Sequence, residues 1–178
     1  EWNLPDHIPL PNTPETNPMT AEKAELGRHL FYDFQLSRDG LRSCGICHEP
    51  AKGFTDGFVR SVGATGEVLA ANSLSVANVA WRSPLMWREP ELNDLETQAQ
   101  IPLFSTHPVE MGSEPAELEA YIADQDYYAT AFPKAFPDAD DPYTVNSIIS
   151  ALVVHQRRIV AVDSPFDRHL TGEESLSN

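Results

Sequence analysis

The chain has 178 residues, enough for one domain with a sizeable core and short for two. Its 41% hydrophobic and 22% charged residues, with a mean hydropathy of -0.35, exclude a collagen, a coiled coil, a disordered chain and a disulfide-rich scaffold. Twelve basic residues against 27 acidic ones leave a net charge of -15, which repels a phosphate backbone and suits a basic partner or a cation.

Residues 1–19 carry Pro5, Pro9, Pro11, Pro14 and Pro18, so an extended arm is expected there rather than a helix or central strand. The start at Glu1 without Met, basic run or apolar run reads as a mature form after removal of a signal. Thr20 can cap a helix whose Leu26 and Leu30 share a face, ending near Asp33. Residues 33–75 hold most of the glycines and only short apolar stretches, as in loops built around a bound group that replaces a continuous core.

Residues 76–112, broken by Pro84, Pro90, Pro102 and Pro108, are expected as short helices and loops. Ser113, Glu114 and Pro115 open a helix that should reach about Asp126. The clearest helix follows Thr144, where Val145, Ile148, Ile149, Leu152, Val153, Gln156, Ile159 and Val160 recur at helical spacing. Its apolar stretch is interrupted by Gln156, Arg157 and Arg158 and falls short of the roughly eighteen residues of a membrane span. The chain is thus expected to be mainly α with long loops, the arm over 1–19 and one domain over 20–178.

Both cysteines lie in Cys44-Gly45-Ile46-Cys47-His48, the C-x-x-C-H pattern of covalent c-type haem attachment. Two thiols one helical turn apart can add to the two vinyl groups of one haem, and His48 is then held beneath the iron. A redox disulfide would sit in a strand–helix setting that is missing here, and a zinc site lacks further ligands at recognisable spacing; haem is favoured over both. Haem attachment implies an oxidising compartment such as the periplasm. The sixth iron position is open to competition from His7, His29, His107, His155, His169, Met19, Met86 and Met111.

Leu26-Gly27-Arg28-His29-Leu30-Phe31-Tyr32-Asp33, Leu36-Ser37, CGICHEPAKGFTDG, SPLMWREPELNDLETQAQIPLF and HPVEMG, with Asp163 to Arg168 later, resemble the N-terminal half of bacterial di-haem cytochrome c peroxidases. The WREPELNDLETQAQIPLFSTHPVEMG form is most similar to their MauG-like branch. The resemblance implies a cytochrome c-like haem domain in which Cys44 and Cys47 hold the peroxidatic haem c and His48 is its proximal ligand. Gln98 and Glu110 match the family's distal glutamine and glutamate, with two extra residues between them. Trp87 matches the tryptophan between the two haems, and Asn72 an asparagine ligand of calcium near that bridge.

Residues 53–66 contain no histidine to close the distal side, which implies a five-coordinate iron needing no reductive activation; His107, near Glu110, is the main rival. A second C-x-x-C-H is absent, so one haem is expected on this chain; the second haem c is expected in another half, on a separate chain or removed by truncation, with a true mono-haem protein as the alternative. The leading expectation is a peroxidase that reduces hydrogen peroxide with electrons from the second haem, a small cytochrome or a cupredoxin. A MauG-like enzyme, whose peroxide-derived high-valent haem oxidises tryptophan or other side chains of a partner protein, is the alternative. A non-enzymatic electron-transfer cytochrome c is the third, with Met111 or His107 as sixth ligand.

Overall fold

Thr20 accepts a hydrogen bond from the Lys23 amide and starts α1, Ala21–Tyr32, on whose inner face Leu26, Leu30 and Phe31 are buried. This computed structural model describes residues 2 and 4–176; Glu1, Asn3 and the last two residues of the expected 20–178 domain lie outside the described residues. After α1 come the single turn α2, Cys44–Cys47, then α3, Leu95–Phe104, α4, Pro115–Asp124, α5, Asp126–Ala135, α6, Val145–Arg157, and α7, Pro165–Leu170. Two isolated bridges, Glu49 with Thr55 and Val62 with Val68, are the only β pairing among the described residues. None of the described helices is long and apolar enough to cross a membrane.

The centre is the α1–α6 crossing. A Cβ on Gly27 would lie 1.9 Å from the Ala151 carbonyl oxygen, so the two backbones meet there with no room for a side chain. Around that contact Leu26, Leu30 and Phe31 pack in one core with Ile148, Ala151 and Leu152. α6 is capped by Thr144 as the sequence implies, but it ends at Arg157. Ile159 and Ala161 instead pair with Asn78: the Asn78 amide donates to Ile159 O, its side chain donates to Ala161 O, and the Ala161 amide donates to its Oδ1.

The helix expected from Ser113 to about Asp126 is α4, which ends at Asp124, and after Gln125 a further helix follows, α5, for which the sequence carries no expectation. Pro133 removes the amide that would pair with the Ala129 carbonyl, and the Tyr143 hydroxyl donates to that oxygen at 3.0 Å. α7, also unforeseen, begins in a Ser164–Asp167 capping box.

Described residues before Thr20 have no helix or strand. The arm is tied down by the Trp81 indole donating to Pro9 O at 2.8 Å and by buried Asn17, which donates to Glu96 and to Ser150 O. Glu96 also takes a two-pronged ion pair from Arg157 at 2.7 and 2.8 Å, so arm, α3 and α6 share one knot.

Candidate haem site

The turn of α2 leaves Cys44, Cys47 and His48 on the wall of a cleft that is partly open to solvent. Its floor is continuous with the core through Phe31 and Leu152. A Cβ on Gly45 would lie 2.4 Å from the Tyr32 ring, so Tyr32 seals the outer face of the α2 turn. Burial pushes the Cys44 thiol up to about 12 and also raises Cys47. Raised thiols are the opposite of the depressed ones that disulfide-exchange enzymes use. No disulfide joins the two cysteines.

His48 Nδ1 lies 3.1 Å from the Phe54 carbonyl oxygen, which can only accept, so Nδ1 carries the proton. Burial pushes the imidazole below its usual range, opposed by the Phe54 and Leu74 carbonyls. A neutral ring protonated on Nδ1 keeps its lone pair on Nε2, the form that ligates iron. Phe54 presents that carbonyl from a left-handed backbone, φ 60°, strained for a residue with a side chain. A mostly apolar cleft with two thiols and an oriented neutral imidazole on one wall fits a covalently held haem.

Gln98, on α3, and Glu110 line the same cleft. The loop after α3 is folded back by the Glu110 amide donating to Ser105 Oγ, the Met111 amide to Pro102 O and the Ala64 amide to Glu110 O. Gly63 lies under this loop, where a Cβ would meet the Val109 carbonyl oxygen at 1.8 Å. Burial raises the Glu110 carboxyl above the usual carboxylate range. The cleft thus holds an amide and a carboxyl of raised proton affinity beside the thiols and imidazole.

Trp87 is not among the residues lining the cleft: it is 58% exposed, and its indole donates to the Asn72 backbone carbonyl at 2.9 Å. Trp87 and Asn72 are therefore neighbours on the surface. No group of three or more His, Cys, Asp or Glu side chains converges as metal donors among the described residues, so Asn72 does not gain a calcium site from them. His107 points outward with its side chain 88% exposed, and the nearest Glu67 oxygen is 3.8 Å from its Nδ1. Met111 is the one rival sixth ligand that lines the cleft. Arg42 and Arg82 also line it and were missed; the only signal available was that they are cations in an acidic chain.

The family profile described as di-haem cytochrome c peroxidase matches residues 21–175. The methylamine utilization protein MauG of Methylorubrum extorquens is 36% identical over 174 residues, covering 98% of this chain and 47% of that protein. The cytochrome c551 peroxidase of Pseudomonas aeruginosa is 34% identical over 157 residues, covering 88% and 44%. The chain thus spans about half the length of the curated relatives it matches. Among solved structures, a MauG-like protein associated with microbial copper homeostasis superposes with a TM-score of 0.96 at 40% identity, over 99% of this chain and 51% of that one. The diheme peroxidase BthA of Burkholderia thailandensis, at 20% identity and a TM-score of 0.74 over 90% and 45%, shares the fold. With its mainly helical haem-type fold and C-x-x-C-H cleft, the chain belongs to the di-haem cytochrome c peroxidase family.

Proposed function

We propose that the chain is the peroxide-reducing part of a haem c peroxidase, acting on hydrogen peroxide in the periplasm. One observation carries the reading: Gln98 and Glu110 share a single cleft with Cys44, Cys47 and His48. Bound there, a haem would supply an iron able to coordinate peroxide and take its oxidising equivalents. Cys44 and Cys47 would hold it, and the neutral His48 ring would ligate it.

Breaking an O–O bond unevenly needs a group that takes a proton from one oxygen and gives it to the other. Glu110 suits this because burial keeps its carboxyl proton-holding closer to neutral pH. The Gln98 amide can orient the peroxide without competing for the proton. Trp87, exposed beside Asn72, would pass electrons from a facing haem domain or a small redox protein. A calcium ion at Asn72 would take its further ligands from oxygen donors such as backbone carbonyls and waters.

The MauG-like alternative, oxidation of a partner's tryptophan or other side chain, is favoured by the 0.96 superposition on a MauG-like protein. The deciding experiment is an absorption and EPR spectrum of the ferric holoprotein before and after one equivalent of peroxide. A high-spin signal that peroxide changes supports the proposal, and a low-spin signal that peroxide leaves unmoved overturns it in favour of Met111 as sixth ligand. Mass spectrometry of a candidate partner after peroxide treatment separates the two enzyme readings, since a peroxidase leaves partner side chains unmodified.

A further inference from the structure

Of the twelve basic residues, Arg28, Lys52, Arg157 and Arg168 pair with a carboxylate at 2.6 to 2.8 Å among the described residues. Arg42 and Arg82 are set apart from the other unpaired cations by their place: both line the haem cleft, with no carboxylate within 4.0 Å among the described residues. Arg82 is half-buried, and its guanidinium makes one hydrogen bond, to Ala77 O at 3.3 Å. Asp39 is within electrostatic range of Arg42 without touching it, and Glu110 shares the cleft without pairing to either arginine.

A guanidinium has five N–H donors, and removing it from water without an anion is costly. Burial lowers the Arg82 pKa, the mark of a cation that has lost solvent without gaining a partner. Arg82 is within electrostatic range of His48, and Arg42 within range of Cys47, so both charges act on the cleft that holds the attachment residues. The missing partner is therefore an anion that enters the cleft with its occupant.

We propose that Arg82 and Arg42 form a carboxylate clamp that receives the two propionate arms of the haem. The clamp rests on the haem reading above and adds to it the residues that neutralise the cofactor's own charge. Thioether bonds would fix one edge of the ring, and the paired propionates its tilt, with their two negative charges offset. Offsetting negative charge near the iron favours its reduced form, so the clamp raises the reduction potential.

The test is made on holoprotein carrying covalent haem, by spectroelectrochemical titration and by the propionate bending bands in resonance Raman spectra. Arg82→Gln should lower the midpoint potential and shift those bands, Arg42→Gln should do the same, and Arg82→Lys should hold the potential close to the parent value. Unchanged potentials and bands in both glutamine variants overturn the clamp. The other source of a carboxylate is a free ligand, for which acetate is the probe. If acetate perturbs the Soret band of the parent, Arg82→Gln abolishes that effect, and the potential stays fixed, the arginines serve a free anion and the propionate clamp is overturned. If Arg82→Gln does not fold, Arg82→Lys and Arg42→Gln still decide the question. Absence of covalent haem from the parent would instead overturn the haem reading itself, an outcome distinct from failure of the clamp.

Discussion

Glu110 serves chemistry and stability in opposite directions. Because burial raises its folded pKa, the fold loses stability as pH rises through the ordinary carboxylate range and on through that raised value. Glu110→Gln removes the charge, so the variant should be more resistant to denaturant than the parent at pH 8 and no more so at pH 4. The same substitution should lower kcat/KM for hydrogen peroxide by about 10²- to 10⁴-fold, the usual contribution of a positioned acid–base group. A variant as fast as the parent would remove Glu110 from the mechanism. The haem-attachment residues could be read directly, because C-x-x-C-H encodes its chemistry in consecutive positions. Gln98 and Glu110 could be read only through resemblance, since they meet by the folding back of a loop that no local pattern announces. Trp87 gives no such meeting: it sits on the surface, where an unaided reading of a tryptophan would have put it in the core.

At the scale of helices, Gly27 and the Glu96–Arg157 pair make the sharpest predictions. Gly27→Ala places a methyl against a backbone carbonyl that cannot rotate away, so α1 and α6 must separate. A loss of about 1–3 kcal/mol or more is expected from such overpacking, read from the denaturation midpoint. Arg157→Ala leaves Glu96 without its ion-pair partner in a site where the arginine side chain is only 5% exposed. That should cost about 3–5 kcal/mol. Glu96→Gln combined with Arg157→Met should cost much less, because neither charge is then stranded. Helices α1 and α6 were legible because caps and apolar spacing agree in both. Helix α5 was not, because the tyrosine that satisfies the carbonyl freed by Pro133 lies fourteen residues from it and on another segment. The end of α6 was misread for a similar reason: Ile159 and Val160 keep the helical apolar rhythm, while Asn78, distant in sequence, claims the backbone around them.

For the molecule as a whole, charge and exposure point outward. A net charge of -15 should accelerate encounter with a basic redox partner, and the rate should fall as salt rises from about 10 mM to 150 mM, where the screening length shrinks to about 8 Å. Stopped-flow reduction by a basic and an acidic cytochrome at both salt levels checks this, and a salt-independent rate with the basic one would count against steering. The mainly helical class was readable from the sequence, yet the shape of the cleft was not, since its walls come from segments that composition marks only as loops.

The raised Cys44 thiol has a consequence for the order of events in the protein's making. Thioether formation consumes a thiolate, and a thiol whose pKa burial raises is ionised to a smaller extent at pH 7 than that of a free cysteine. Tyr32, lying against Gly45, also shields the outer side of that turn. A chain that folds before it meets its haem is therefore a poor acceptor, and the attachment reaction must win a race against closure of the domain. Haem loading should consequently fall with the time an apo chain is allowed to fold before the porphyrin is offered, and mild denaturant should restore it.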